Sequence, residues 1–197
     1  MNANMRVAQL VVATLLLVGC PTAGLSGLIW DNGSGIGSLL PAFRGGQVGA
    51  DDFNLGVLTY RIIHIRWWGG YPLGDPYLDS FQVIIRTPDD EGMPGLPFFL
   101  LLEGPNPVIR REVPGGTAEM PLFQYDMVVR DTVRLSGGRY FLEVNNAPDP
   151  DAGLWFWLTS DDDGVCWAYD TEVAPGEWIE SEDYVGDLRF QLYGHAE

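Results

Sequence analysis

Leu58 to Trp68 reads LTYRIIHIRWW. β-Branched and aromatic residues dominate it, which suits a pleated, half-buried strand. Side chains on a strand alternate in direction, so Arg61, Ile63, Ile65 and Trp67 fall on one face. Tyr60, Ile62, His64, Arg66 and Trp68 fall on the other. The first set carries the cleaner apolar stripe and is expected to face a core. Trp68-Gly69-Gly70-Tyr71-Pro72 is expected to end the strand. Trp67 and Trp68 are adjacent and cannot share a face, so one of them should be exposed or covered by a loop.

The same alternation recurs on the C-terminal side. Strands are expected at Phe81–Arg86, Phe98–Leu102, Val108–Val113, Phe123–Val129, Thr132–Leu135, Arg139–Val144, Trp155–Thr159, Val165–Tyr169 and Leu188–Tyr193. Between them lie turn clusters such as Pro88 to Gly95 and Gly137-Gly138. Ser160-Asp161-Asp162-Asp163-Gly164 reads as a hairpin turn joining the strands on either side. Roughly nine or ten short strands at ~8–12-residue spacing, with no helix after the leader, define an all-β class. The expected architecture is an antiparallel two-sheet sandwich, jelly-roll or Greek-key like, behind an N-terminal signal helix. A closed barrel is the alternative.

The N-terminal side is built differently. Val7 to Leu17 is apolar apart from Gln9 and Thr14, follows Arg6, and ends at Leu17-Val18-Gly19-Cys20. A positive start, a short apolar run and small residues at a cut describe a signal peptide. The run is too short to span a bilayer as a helix, which takes ~20 apolar residues. Pro21 to Gly46 is rich in Gly and Ser and reads as a flexible tether, with a first edge strand near Leu28-Ile29-Trp30. The expected division is a leader at 1–19, a tether at 20–46 and a β domain at 47–197.

Composition narrows the function classes. The 197 residues are 46% hydrophobic and 19% charged, so the chain can build a core and is not a disordered, charge-rich segment. The net charge is −16, and every basic side chain other than the two histidines is Arg. Nucleic acid is thereby excluded as an expected partner, because phosphate binding needs a basic stripe. Cys166 lies in an expected strand and reads as a small buried hydrophobe.

Leu17-Val18-Gly19-Cys20 resembles the lipobox of bacterial lipoproteins at all four positions. The resemblance implies cleavage before Cys20, diacylglyceryl attachment to its thiol and, usually, acylation of the new amino group. Two or more acyl chains hold a protein stably at a membrane where one does not. Pro21, in place of the Asp that often retains such proteins at the inner membrane, points to the outer membrane or cell surface. A second resemblance rests on Ala50-Asp51-Asp52-Phe53, Trp67-Trp68-Gly69-Gly70-Tyr71, Gly92-Met93-Pro94-Gly95 and the terminal Phe190-Gln191-Leu192-Tyr193-Gly194. Together these are similar to a poorly characterised class of secreted, planctomycete-type β-sandwich surface domains. That likeness implies fold and surface location, and no catalytic residues. Members of the class often carry a C-terminal sorting anchor, where this chain has an N-terminal lipidation signal.

Two constellations are candidates for binding chemistry. Asp161, Asp162 and Asp163 cluster carboxylates in a tight turn, and calcium takes six to eight oxygen ligands, so a calcium site is one reading. A solvated Asp-rich turn is the other. Trp68, Tyr71 and Asp75 are a candidate glycan site, with aromatic rings to stack on sugars and a carboxylate to accept from hydroxyls; core packing is the competing reading. No nucleophile elbow, phosphate loop or dinucleotide fingerprint occurs, and His64 and His195 lack metal-site spacing, so no enzyme is expected. The expected function is a membrane-anchored lipoprotein presenting its β domain for structural or interaction roles at the envelope. The alternative is a glycan-binding lipoprotein. Its expected partners are the membrane, through Cys20, and a glycan or envelope protein.

Overall fold

The computed structural model describes residues 26–42, 46–72, 79–103, 108–117, 119–146, 154–161, 164–170 and 177–197. These residues form two antiparallel sheets facing one another, the expected sandwich. The expected signal helix and Cys20 lie outside the described residues.

Sheet A is built around β4 (Tyr60–Gly70). One edge of β4 carries β8 (Leu122–Leu135), which is flanked by β7 (Ile109–Val113). Its other edge is shared end to end: β13 (Phe190–Ala196) pairs as far as Trp67, and β10 (Phe156–Leu158) takes over at Gly69 and Gly70. Outside β13 lies β1 (Gly27–Asp31), and outside β10 lies β2 (Leu39–Pro41). Sheet B contains β3 (Gln47–Asn54), β5 (Phe81–Pro88), β6 (Pro94–Glu103), β9 (Arg139–Asn146), β11 (Val165–Asp170) and β12 (Ile179–Val185). Its order is β12-β11-β3-β9-β5-β6.

Four sequence expectations change. The stretch read as a tether contributes β1, the edge strand expected near Leu28-Ile29-Trp30, and an unexpected β2, so from Gly27 to Ala42 it belongs to the sandwich. The Gly spacing that suggested flexibility separates two short edge strands, and Pro41 is tolerated because β2 lies at an edge. Trp155–Thr159 and Val165–Tyr169 do not form a hairpin, because β10 pairs in sheet A and β11 in sheet B. β4 does not end at Trp68. Gly69 continues it because Trp155 and the Phe156 carbonyl pack so closely that a Cβ there would overlap both. Finally, the facing of β4 is out of phase in its first half. Ile65 and Trp67 point into the core as expected, but Ile62, not Ile63, joins them. Ile63 is the extra residue of a bulge against β13, where Tyr193 pairs His64 and Gly194 pairs Ile62. One inserted residue reverses the alternation on either side of it.

The space between the sheets is filled by interlocking rings. Trp67 stacks on Tyr125 with ring centres 5.7 Å apart. Phe81, from sheet B, meets Trp67, Tyr125 and Trp155 edge-on at 5.2, 4.9 and 5.1 Å. Large buried area combined with edge-to-face geometry makes such a cluster a principal source of sheet-to-sheet adhesion. The bulge phase is directly testable: Ile62→Ala is expected to cost about 2–5 kcal/mol in urea denaturation. Ile63→Ala, on the partly exposed face, should cost well under half of that; equal losses would contradict the bulge.

Candidate functional site

The glycan site expected from sequence does not assemble as an exposed aromatic platform. Trp68 is 5% exposed and packs with Leu122 and Leu158 on the outer face of sheet A. The guanidinium of Arg189 covers its ring at 4.1 Å from the centre. Tyr71 is fully buried. Its hydroxyl donates to Asp79 Oδ1 at 2.7 Å and accepts from Asn146 Nδ2 at 2.8 Å. Burial, with Tyr125 and Asp79 as neighbours, holds that hydroxyl well above the ordinary tyrosine range. Both rings are therefore committed to packing. Asp75 lies outside the described residues.

Of the acidic turn, Asp161 is described, while Asp162 and Asp163 are not. Asp161 is exposed, its N–H donates to Ser34 O at 3.0 Å, and its carboxylate lies against Gly35. Gly35 has φ of 82°, and a Cβ there would overlap that carboxylate. Among the described residues, no three His, Cys, Asp or Glu side chains converge to hold a metal ion.

A different surface brings binding chemistry together. On the outer face of sheet B, β5, β9 and β11 present Arg86, Glu143, Asn145, Trp167 and Tyr169. The register accounts for this facing: Ile84, Glu143, Ala50 and Trp167 form one cross-strand row, and Arg86 pairs with Phe141 in the next. Arg86 Nε donates to Glu143 Oε2 at 2.5 Å, and Arg86 Nη1 donates to the Gly95 carbonyl at 2.7 Å. Asn145 Nδ2 donates to Glu143 Oε1 at 2.8 Å. The Asn145 Oδ1 is buried and meets no donor among the described residues. Tyr169 and Trp178 pack edge to face at 4.5 Å, with Arg86 5.4 Å from the Trp178 ring centre.

Beside this cluster an open groove of about 760 Å³ runs between the β5–β6 turn and the segment before β12. Arg86, Met93, Tyr169 and Trp178 line it, and Asp89, Asp90 and Glu177 contribute carboxylates. The turn is fixed by Asp89 Oδ1, which accepts from the N–H groups of Glu91 and Met93 at 3.0 and 2.8 Å. Aromatic rings beside a guanidinium and several carboxylates suit a polar ligand with one flat, apolar face. The sequence expectation passed over this site. Alternation along β9 puts Glu143 and Asn145 opposite the core residues Leu142 and Val144, and a polar residue on an outer face carries no sequence signal of burial. Their near-complete burial depends on elements distant in sequence. The available signal was the turn cluster Pro88 to Gly95 together with Trp178, which no strand pattern absorbed.

Two further carboxylates are held in opposite ways. Asp51, in β3, is buried in the interior. Its Oδ2 accepts from Leu188 N–H at 2.5 Å and Asn32 Nδ2 at 3.0 Å, and its Oδ1 from Asp52 N–H at 2.7 Å. Burial, and then the charge of Asp187, push its carboxyl well above the ordinary range despite those donors. Asp126, on the outer face of sheet A, meets Arg66 Nε at 2.7 Å, His64 Nε2 at 2.9 Å and Gln124 Nε2 at 2.7 Å. Burial alone would raise Asp126, but the hydrogen bonds from Arg66 and Gln124 and the Arg66 charge hold it below the ordinary range. Burial lowers His64 beside it, outweighing the attraction of Asp126.

Compared with known proteins, the chain matches no family model, no curated protein and no solved structure.

The two carboxylates give opposite pH signatures. The stability that Asp51 contributes is full below about pH 4 and drains as pH rises through its raised pKa. The wild type should therefore lose ground to Asp51→Asn as pH rises from 4 to 8. Asp126 contributes above about pH 4 and loses that contribution as pH falls through its lowered pKa. The advantage of wild type over Asp126→Asn should therefore shrink on acidification. Urea midpoints across pH read both, and differences independent of pH would refute the assignments.

Proposed function

We propose that this chain is a membrane-anchored bacterial lipoprotein, lipidated on Cys20. Its acidic β-sandwich serves as an interaction module at the cell envelope, on the outer membrane or cell surface. The observation that carries the binding half of this reading is the groove on the outer face of sheet B, where Tyr169, Trp178 and Arg86 stand beside Asp89, Asp90 and Glu177. The observation behind the anchoring half is the Leu17-Val18-Gly19-Cys20 sequence. Tether length enters here as well: β1 begins at Gly27, so few residues separate the proposed lipid from the first strand. The module would sit close to the membrane rather than far out from it.

A saccharide is the second, finer reading for the ligand. It is favoured by the paired aromatic rings and the adjacent carboxylates, which can accept from sugar hydroxyls. A glycan array, run with and without EDTA, tests it. Binding is expected to fall about tenfold or more in Trp178→Ala or Tyr169→Ala, the loss characteristic of an anchoring aromatic. It should be unchanged in Trp68→Phe, which keeps the packing under Arg189. An array with no hits would sink the saccharide reading and leave the interaction module.

Anchoring has its own test. Cys20→Ala is expected to move the protein from the membrane to the soluble fraction on cell fractionation. Continued sedimentation with membranes would count against lipidation at that thiol.

A further inference from the structure

We infer that the chain also binds a free single-chain carboxylate amphiphile, its acyl tail held in a cavity on the open side of the sandwich. This goes beyond the groove on sheet B and uses other residues.

On this side the two sheets end in edge strands. β6 closes sheet B, and in sheet A β7 covers β8 only from Leu122 to Asp126. Beyond Asp126, β8 also parts from β4. Pairing passes from Val128 opposite His64 to Val133 opposite Ile62, so Val129, Arg130, Asp131 and Thr132 have no register partner on β4. The excursion opens a cavity of about 280 Å³ walled by Phe99 and Leu101 of β6, by Val108, and by Met127, Val129 and Val133 of β8. At ~30 Å³ for a water-sized unit, it has room for roughly nine such units. Arg130, Asp131 and Thr132, all exposed, supply polar groups to the lining, while the side chains of Phe99, Leu101, Met127 and Val133 offer water few partners and suit a medium-length alkyl chain. Leu100 and Val128, which also line the cavity, are 52% and 68% exposed.

Charge selects the head group. Arg66, Arg86, Arg110, Arg111, Arg134 and Arg139 each stand within ion-pair reach of a carboxylate. Arg130 lines the cavity, and among the described residues it pairs with none. The net charge of −16 repels anions at long range, so a local cation is needed, and a guanidinium without an ion-pair partner among the described residues suits a carboxylate head group. Asp131 follows it and opposes an anion, so the two neighbours give the test opposite signs.

The experiment is isothermal titration of the mature chain from residue 20, carrying Cys20→Ala, which lacks both the apolar leader and the proposed lipid and so needs no detergent. The probes are octanoate, decanoate and dodecanoate below their micelle concentrations, beside the matching 1-alkanols. Affinity is expected to rise with chain length, by up to about fourfold per methylene, until the cavity is full. Arg130→Gln should weaken the carboxylates about tenfold and leave the alkanols unchanged. Asp131→Asn should tighten the carboxylates several-fold. Both positions are exposed, so neither substitution threatens the fold. Val129→Phe, which fills the mouth, should abolish binding of both probe types while the Tm stays within a few degrees. Absent carboxylate binding, affinity indifferent to chain length, equal effects of Arg130→Gln on carboxylates and alkanols, or binding to anionic vesicles alone would each overturn the proposal.

Discussion

Backbone pairing along both edges of β4 is the constraint on which the sandwich depends. A strand in that position must supply ladder hydrogen bonds on two sides while sending alternate side chains to a core and to an outer face. β4 meets this over eleven residues, with β8 on one edge and β13 then β10 on the other. The end-to-end arrangement of β13 and β10 brings Phe190 and Trp157 into the same core. It also places Gly69 where only a residue without a side chain fits beneath Trp155. The bulge at Ile63 is part of the same geometry: it rephases the strand so that Ile62, Ile65 and Trp67 line the interior together.

Polar groups are built into this interior rather than excluded from it. Asp51 gathers N–H groups from three separate parts of the chain: Asn32 after β1, Asp52 within β3 and Leu188 before β13. It thus ties the two sheets at one point, with its carboxylate matched to donors. Tyr71, Asp79 and Asn146 form a second buried polar chain at the end of β4 and β9. The indole N–H groups of Trp67 and Trp155 and the Tyr125 hydroxyl are buried near it with no geometric partner among the described residues. The aromatic core is consequently a polar-tipped one, and its rings are oriented by shape more than by hydrogen bonding.

The outer faces divide the remaining chemistry. Sheet A carries Asp126 with Arg66, His64 and Gln124, a saturated network that leaves little capacity for a ligand. Sheet B carries Arg86, Glu143 and Asn145 beneath Tyr169 and Trp178, next to an open groove with three further carboxylates. Part of the chain's acidity lies on β12, an edge strand of sheet B that reads IESEDYV and carries Glu180, Glu182 and Asp183.

 Charge on an edge strand discourages pairing with other chains. β6, the opposite edge of the same sheet, lacks that protection from Pro94 to Leu102 and is blunted instead by prolines and register shifts.

How much was legible before folding can be read from particular residues. The all-β class and most strands followed from local alternation, because β-branched and aromatic residues with period two describe a half-buried strand wherever they occur. β3 was missed because Asp51-Asp52 breaks that pattern, and burying Asp51 makes sense only once Asn32 and Leu188 stand around it. The pairing of β10 and β11 in different sheets was equally hidden, since an Asp-Gly turn signal says nothing about which partner each strand finds. Trp68 and Tyr71 looked available for a ligand because a sequence shows which residues are aromatic, and not what covers them. The amino-acid sequence by itself determined the class of fold, the acidic charge and most of the strands, all of which arise from local propensity and composition. Tertiary structure alone decided strand phase, sheet membership and the placing of Arg86, Glu143, Tyr169 and Trp178 on one face, because each depends on contacts between residues far apart in the chain.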